Sequence, residues 1–274
     1  MNNHTTKVLV TGADGFIGKY VCTELTKKGY EVIPFDIKRN PALDLGTCLE
    51  PLDSLLDEAK YVIHLAAMPG LDQCYKDPLG AVQANITNTV RLFEMAKNKF
   101  NLDKIIIAST WAVGGNKLNP YDITKSCVED FANSYQVVHQ MPIVVFRLGT
   151  TYGVGMNDKG VIPSFIKRAK AGEPLVIRGS KDIARQYTHV SDIASAFVKG
   201  LKYAIPGEIY TIVDDKVTTL EDLARYFSNE IVYEAARATD ENYEPLSNRK
   251  TMLELNWRPR MKLSDGIKDM IEHG

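Results

Sequence analysis

Val8-Leu9-Val10-Thr11-Gly12-Ala13-Asp14-Gly15-Phe16-Ile17-Gly18 decides the reading of this chain. Lys7–Thr11 is apolar almost throughout and rich in Val, the pattern of a short buried strand. Three glycines follow, and then a helix begins whose Ile17, Val21 and Leu25 repeat at four-residue spacing, giving one apolar face to lie on a sheet. A strand, a glycine turn and a helix N-terminus make an anion site, because free N–H groups and the positive end of the helix dipole face the same point. Gly12 permits the tight turn, Gly15 the close approach of a pyrophosphate and Gly18 the packing of helix on strand. By themselves three glycines also have a plainer reading, a mere tight turn. Asp36 argues for more: it ends the next apolar strand, Glu31–Phe35, where a carboxylate would hold an adenine-ribose diol. The stretch is read as a dinucleotide site, with Phe16 and Ile17 at the start of its helix.

The 274 residues suffice for one large or two unequal domains, and 45% hydrophobic with 24% charged residues is ordinary for a soluble protein. A net charge of −1 with scattered Lys and Arg speaks against nucleic acid and against an anionic membrane surface. No apolar run approaches the roughly 18 residues of a membrane span, and Met1–Thr6 lacks a signal-peptide core. Cys22, Cys48, Cys74 and Cys127 are widely spaced, form no CxxC pair and have no His at metal-ligand spacing. They are expected as free thiols in a reducing cytoplasm, with no metal site.

Along the chain, Ala42–Leu45 is expected as a short strand and Cys48–Glu58 as a helix. Tyr61–Leu65 is a buried strand running into Ala66-Ala67, small residues that suit either backbone beside a cofactor or tight packing. Asp77-Pro78 opens a long helix through Asn98, with Ile86, Val90 and Phe93 inward. Lys104–Ala108 is a strand closed by Ser109-Thr110, and Pro120 starts a helix with a stripe of Val128, Phe131, Tyr135 and Val138. Ile143–Arg147 is a further strand. Strands alternating with helices of this length require parallel pairing and right-handed crossovers, a doubly wound α/β sheet. Beyond Gly153 the elements shorten: a helix over Val161–Ala171, a strand at Pro174–Arg178, a strand-helix unit at Tyr187–Leu201 and a strand at Glu208–Val213. Then come a helix over Thr219–Ser228 capped by Thr218 or Thr219, an irregular Arg237–Asn248, and a last helix at Leu263–Glu272. Residues 1–154, with 186–213 returning to them, are assigned to the dinucleotide domain, and 155–274 to a smaller cap over the carboxyl edge of the sheet.

Tyr121 and Lys125 lie four apart on one helix face, downstream of the hydroxyl pair Ser109-Thr110. A tyrosine near its free pKa of about 10 is a poor base at neutral pH, and an adjacent ammonium would lower it. A Tyr and a Lys at this spacing are common on helix surfaces. Following a dinucleotide turn, they are expected to do acid–base work, with Thr110 holding the oxygen that Tyr121 deprotonates.

On Gly12-Ala13-Asp14-Gly15-Phe16-Ile17-Gly18, Asp36, His64-Leu65-Ala66-Ala67, Asn85, Ser109-Thr110, Tyr121/Lys125, Arg147 with Tyr152-Gly153, Arg185 through Asp192, and Leu255-Asn256-Trp257-Arg258-Pro259, the chain resembles the extended short-chain dehydrogenase/reductases, specifically the nucleotide-sugar epimerase/dehydratase group. The resemblance implies a Rossmann domain holding NAD, a small C-terminal α/β cap holding a sugar nucleotide, and a homodimer packed through helices. It implies cofactor contacts from Ala66, Ala67, Asn85, Tyr121 and Lys125, and substrate contacts from Thr110, Thr150, Arg185 and Arg237. Departures accompany it. Relatives that perform 4,6-dehydration carry acids after the catalytic Thr, where this chain has Trp111 and Ala112. The Glu that decarboxylating members use is missing, Thr150 replaces a common Asn, Val154 a common Pro, and only ten residues separate Thr110 from Tyr121. The expected activity is therefore 4-epimerisation of a nucleotide sugar through a transient 4-keto sugar. The alternatives are a net sugar oxidoreductase, a 4,6-dehydratase, and a non-catalytic NAD(H)-binding protein.

Overall fold

Six parallel strands in the order β10-β5-β4-β3-β1-β2 form the centre of the computed structural model, which describes residues 5–113, 119–180, 183–235 and 244–274. They are β1 (Lys7–Thr11), β2 (Glu31–Phe35), β3 (Tyr61–His64), β4 (Lys104–Thr110), β5 (Ile143–Leu148) and β10 (Ile209–Ile212). The chain leaves β1 for β2 on one side and returns to place β3 on the other, with Leu9 opposite both Ile33 and Val62. The strand order thus reverses beside β1, and ligands of open α/β sheets bind at the carboxyl ends of such a point.

Side chains alternate along each strand and supply two cores. Val8, Val10, Ile63, Ile106, Val144 and Phe146 face α1 (Phe16–Lys27) and α8 (Val190–Tyr203). Leu9, Val62, Ile105, Ile107 and Val145 face α2 (Leu49–Glu58), α5 (Asn88–Ala96) and α6 (Pro120–His139). Pro34 sits in β2, whose outer edge is unpaired, the place a sheet tolerates a missing N–H. The other edge, β10, is covered by side chains of α10 (Arg249–Glu254) and the residue before it. Asn248 Nδ2 donates to Val213 O (2.9 Å), Thr251 Oγ1 to Thr211 O (2.7 Å) and Lys250 Nζ to Ile209 O (3.3 Å). A third core joins Tyr152, Phe165, Leu175, Tyr187, Leu223 and Ile267, drawn from β6 (Thr150–Tyr152), α7 (Val161–Lys170), β7 (Leu175–Arg178), β9 (Tyr187–His189), α9 (Leu220–Ala224) and α11 (Leu263–His273).

Several expectations need correction. Ala42–Leu45 is turn and loop: Asn40 Oδ1 takes the Ala42 N–H at 3.0 Å and Asp44 Oδ1 the Gly46 N–H at 2.7 Å, local turns that outcompete a ladder, although Leu45 is buried. The helix expected over 77–98 is α4 (Pro78–Ala81), a π-helical turn at Val82–Thr87, and α5, preceded by the unforeseen α3 (Leu71–Lys76). Asn85, Thr89, Leu92 and Phe93 are buried while Ile86 and Val90 are only half-buried, because the Asn85 amide and the Thr89 hydroxyl find buried hydrogen-bond partners. On α6 the inward face carries Lys125, Val128, Glu129 and Ala132, with Phe131 and Val138 outside. The helix expected over Thr219–Ser228 ends at Ala224, and Thr219 is its cap, accepting the Asp222 N–H at 3.0 Å. The antiparallel pair β8 (Ala184–Arg185) and β11 (Thr218–Thr219), strand β12 (Ile231–Glu234), paired with β7, and α10 were not foreseen. All four cysteines are free. Among the described residues no helix is long and apolar enough to cross a membrane, and no acid, His or Cys group is assembled to hold a metal.

Candidate active site

The glycine turn is as crowded as its three glycines require. Gly12 has φ +71°, and a Cβ there would fall 2.7 Å from Ala66 N, so the end of β3 lies directly on the turn. A Cβ on Gly18 would meet Gly12 O at 2.1 Å, so the first turn of α1 presses onto the loop. A Cβ on Gly15 would meet only Gly12 O, at 3.1 Å, and no side chain caps α1. This leaves the backbone of a half-buried helix start able to receive phosphate oxygens. Phe16 packs edge-on against Tyr20, and Ile17 against the first core. Asp36 is buried. Its Oδ2 accepts the Asp14 N–H (2.9 Å) and its Oδ1 the Lys38 N–H (2.8 Å), and a carboxylate so held keeps further lone pairs on both oxygens. An uncapped helix start beside a fixed carboxylate fits the pyrophosphate and ribose of a dinucleotide.

Behind the turn runs a buried polar chain that the sequence did not disclose. The Ala66 N–H donates to Thr11 Oγ1 at 3.3 Å, and Thr11 Oγ1 lies 2.7 Å from His64 Nδ1. His64 Nε2 lies 2.9 Å from Thr89 Oγ1, which donates to Asn85 O at 2.6 Å. A carbonyl can only accept, so the Thr89 proton goes to Asn85 and His64 must donate through Nε2. Nδ1 then accepts from Thr11. Asn85 continues inward. Its Oδ1 takes the Met68 N–H (2.7 Å), its Nδ2 donates to Thr124 Oγ1 (3.0 Å), and Thr124 donates to Tyr121 O (2.8 Å). Thus Asn85, expected at the cofactor, has its amide engaged by protein and fixes the start of α6 against the segment that follows β3.

Burial, with the Lys125 charge adding, pulls the His64 pKa down to about 3. The folded protein keeps this ring neutral while the unfolded chain protonates near 6.5, so the unfolded state binds more protons between those values and stability falls as pH falls through the window. His64→Gln should flatten the pH dependence of unfolding free energy between pH 6 and 4 by about 1.4 kcal/mol per pH unit relative to wild type. Urea titrations at these pH values measure it, and parallel slopes in the two proteins would contradict the assignment.

Thr110 ends β4 and Tyr121 begins α6, so both stand at the carboxyl edge of the sheet. Asn119 caps α6 by accepting the Asp122 N–H at 2.9 Å, with Pro120 in its first turn. Lys125 Nζ donates to Ala108 O at 2.9 Å and lies 6.0 Å from the centre of the Tyr121 ring. Burial pulls Lys125 down to about 8, and Cys74 and Glu129 oppose it. Contrary to the sequence expectation, Tyr121 is pushed up from its ordinary value: burial dominates, and the nearby Asp122 and Cys74 add to it. In the protein alone the ammonium does not offset that desolvation. Thr110 is buried, and its Oγ1 accepts the Ala112 N–H at 3.3 Å.

Trp111, Gly149, Arg185, Gln186 and Val213 line a cleft near this edge. The Arg185 guanidinium stacks over the Trp111 ring at 5.4 Å, and its Nη1 donates to Ala184 O at 2.8 Å. Thr150 starts β6 and pairs in register with Tyr187. Ala67 follows Ala66 at half-buried depth. Arg237 lies outside the described residues. Sequence reasoning also missed Glu129, one turn beyond Lys125. It accepts from Ser109 Oγ (2.5 Å) and from both Nε (3.0 Å) and Nη2 (2.6 Å) of Arg147. Its spacing of four from Lys125 and eight from Tyr121 was the available signal.

Against known proteins, the chain is 27% identical to a putative UDP-glucose 4-epimerase of Methanocaldococcus jannaschii, over 96% of this chain and 97% of that protein. It is 26% identical to the human dTDP-D-glucose 4,6-dehydratase, over 97% and 89% respectively. The crystal structure of a Bacillus cereus UDP-glucuronic acid 4-epimerase, solved with UDP-glucuronic acid and NAD, superposes with a TM-score of 0.88 at 27% identity, covering 98% of each chain. Residues 8–212, from the first strand of the sheet to its last, match one family along their whole length. This chain belongs to the NAD-dependent epimerase/dehydratase family of enzymes.

Proposed function

We propose that the chain is an NAD-dependent nucleotide-sugar 4-epimerase. The observation that carries this reading is the pairing of Tyr121 and Lys125 at the carboxyl edge where Thr110 also ends its strand, with Trp111 and Ala112, which can move no proton, next in line. NAD supplies a hydride acceptor and donor. Gly12, Gly15, Phe16, Ile17 and Gly18 would hold its pyrophosphate, Asp36 its adenine ribose, and Ala66 and Ala67 would line the route to the reacting end. Thr110 would hold the C4 oxygen of the sugar and Tyr121 take its proton. Lys125 would hold the nicotinamide ribose and favour the phenolate electrostatically, a task made harder by the burial of both groups. Arg185 would meet the diphosphate, where a guanidinium fork suits phosphate oxygens, and Thr150 the sugar. Residues 155–274 would form the substrate cap. Two of the compared relatives bear 4-epimerase names, which supports the reaction, and the dehydratase supports only the shared first oxidation. Exposed Leu79, Ile123 and Val138 support a homodimer, and the free thiols support a cytoplasmic setting.

Dehydration needs a base at C5 and an acid at C6, which Trp111 and Ala112 do not offer. Incubated in deuterated water with UDP-glucose, UDP-glucuronic acid and dTDP-glucose in turn, the protein should invert C4 of one of them without net NADH. NMR should find no solvent deuterium at C5. Deuterium at C5 with loss of the C6 hydroxyl would replace epimerisation by dehydration, and net NADH would replace it by one-way oxidation.

A further inference from the structure

Beside Asp36, which follows β2, the glycine turn brings up a second carboxylate, that of Asp14, with a task of its own. Asp14 gives its N–H to Asp36, but its side chain turns to Arg39, receiving Nε at 3.1 Å and Nη2 at 3.0 Å, one bond on each oxygen. This fork-on-fork geometry fixes both position and charge. Hydrogen bonding to Arg39 holds the Asp14 carboxyl below its ordinary value and raises Arg39 in turn, so both remain ionised. Arg39 is also tied to the same turn by its N–H to Asp36 O at 3.1 Å. The cations that Asp14 feels are Arg39, Lys19 and Lys38.

An adenine ribose held by Asp36 would bring its 2′ position to this corner. A 2′-phosphate there is a dianion facing Asp36, and its acceptance depends on a guanidinium free to bind it. Arg39 is that guanidinium, and it is already bound. We infer that Asp14 is a second determinant of cofactor choice, which excludes the 2′-phosphorylated dinucleotide by holding Arg39 in an ion pair. The inference rests on the reading of the glycine turn and Asp36 as the cofactor site. Without the Asp14 charge, Lys19, Lys38 and Arg39 outnumber Asp36, and the corner becomes attractive to phosphate. Arg39 is half exposed and Asp14 about a quarter, so releasing the pair costs the fold little.

Titration calorimetry of the full chain with NAD and with NADP, at low ionic strength and again at high salt, tests this in wild type, Asp14→Asn, and Asp14→Asn/Arg39→Ala. Asn keeps the N–H that Asp36 needs, and Asp14→Ala serves as a second variant should Asn impair folding. Wild type should prefer NAD. Asp14→Asn should tighten NADP on the order of tenfold while NAD changes less than about threefold, with the gain shrinking at high salt. The added Arg39→Ala should abolish the gain. An unchanged NADP/NAD ratio in Asp14→Asn would overturn the inference, as would a gain that survives in the double variant. A wild type that binds neither dinucleotide would overturn the cofactor site itself, a separate failure visible before any substitution is made.

Discussion

Tyr121→Phe is expected to lower turnover of the accepted nucleotide sugar by roughly 10²–10⁴-fold, the range that a positioned acid–base group supplies. NAD affinity should stay within a few-fold, because the ring still packs and only the ionisable oxygen is gone. Lys125→Ala should differ in kind, weakening both NAD binding and turnover, since one ammonium would serve the ribose and the phenol together. Calorimetry for NAD and single-turnover kinetics for the sugar separate the two cases. A Tyr121→Phe protein at near-normal rate would remove this residue from the chemistry and leave proton transfer to another group. Cys74, which raises the phenol's pKa from close by, would be the next to test.

Arg147→Met should cost the fold about 3 kcal/mol, by stranding Glu129. That carboxylate is 7% exposed, and Arg147 contacts both of its oxygens, with Ser109 on one. Removing the guanidinium leaves a buried negative charge with a single hydroxyl partner. Values at the low end of the usual range are expected because a cavity of about 230 Å³ lined by both residues admits water to the orphaned group. Glu129→Gln/Arg147→Met should recover most of the loss, since the costly part is the unpaired charge and not the absent bridge. Urea midpoints of the single and double variants decide it, and equal losses in both would mean that Arg147 stabilises by packing alone.

The sheet and the glycine turn were legible because their signals are local. Val-rich runs, an i, i+4 stripe on α1 and a carboxylate at the end of β2 each fall within a few residues. Tyr121 and Lys125 were legible for the same reason. The failures have three physical origins. Ala42–Leu45 has strand-like apolarity, but the Asn40 and Asp44 side chains satisfy the backbone locally. In 77–98 the buried face carries Asn85 and Thr89 where apolarity pointed to Ile86 and Val90, since both polar side chains find hydrogen-bond partners inside. The polar partnerships were beyond reach for a third reason. Thr11, His64 and Thr89 are brought together by sheet topology, as are Glu129 and Arg147. Their residue types are unremarkable until the fold sets them side by side.

The fixed hydrogen order of the Thr11–His64–Thr89 chain makes it an electrical insulator. Each hydroxyl gives its one proton in the same direction, the imidazole accepts at one nitrogen and donates at the other, and the line ends on the Asn85 carbonyl, which has no proton to pass on. Moving a proton along it would require a protonated imidazole, which burial resists down to a pH of about 3. The glycine turn and the helix bearing Tyr121 are therefore coupled mechanically but not protonically. On the proposed mechanism, a proton taken up at Tyr121 would then have to leave on the cleft side, because the chain behind the glycine turn holds a neutral imidazole at neutral pH.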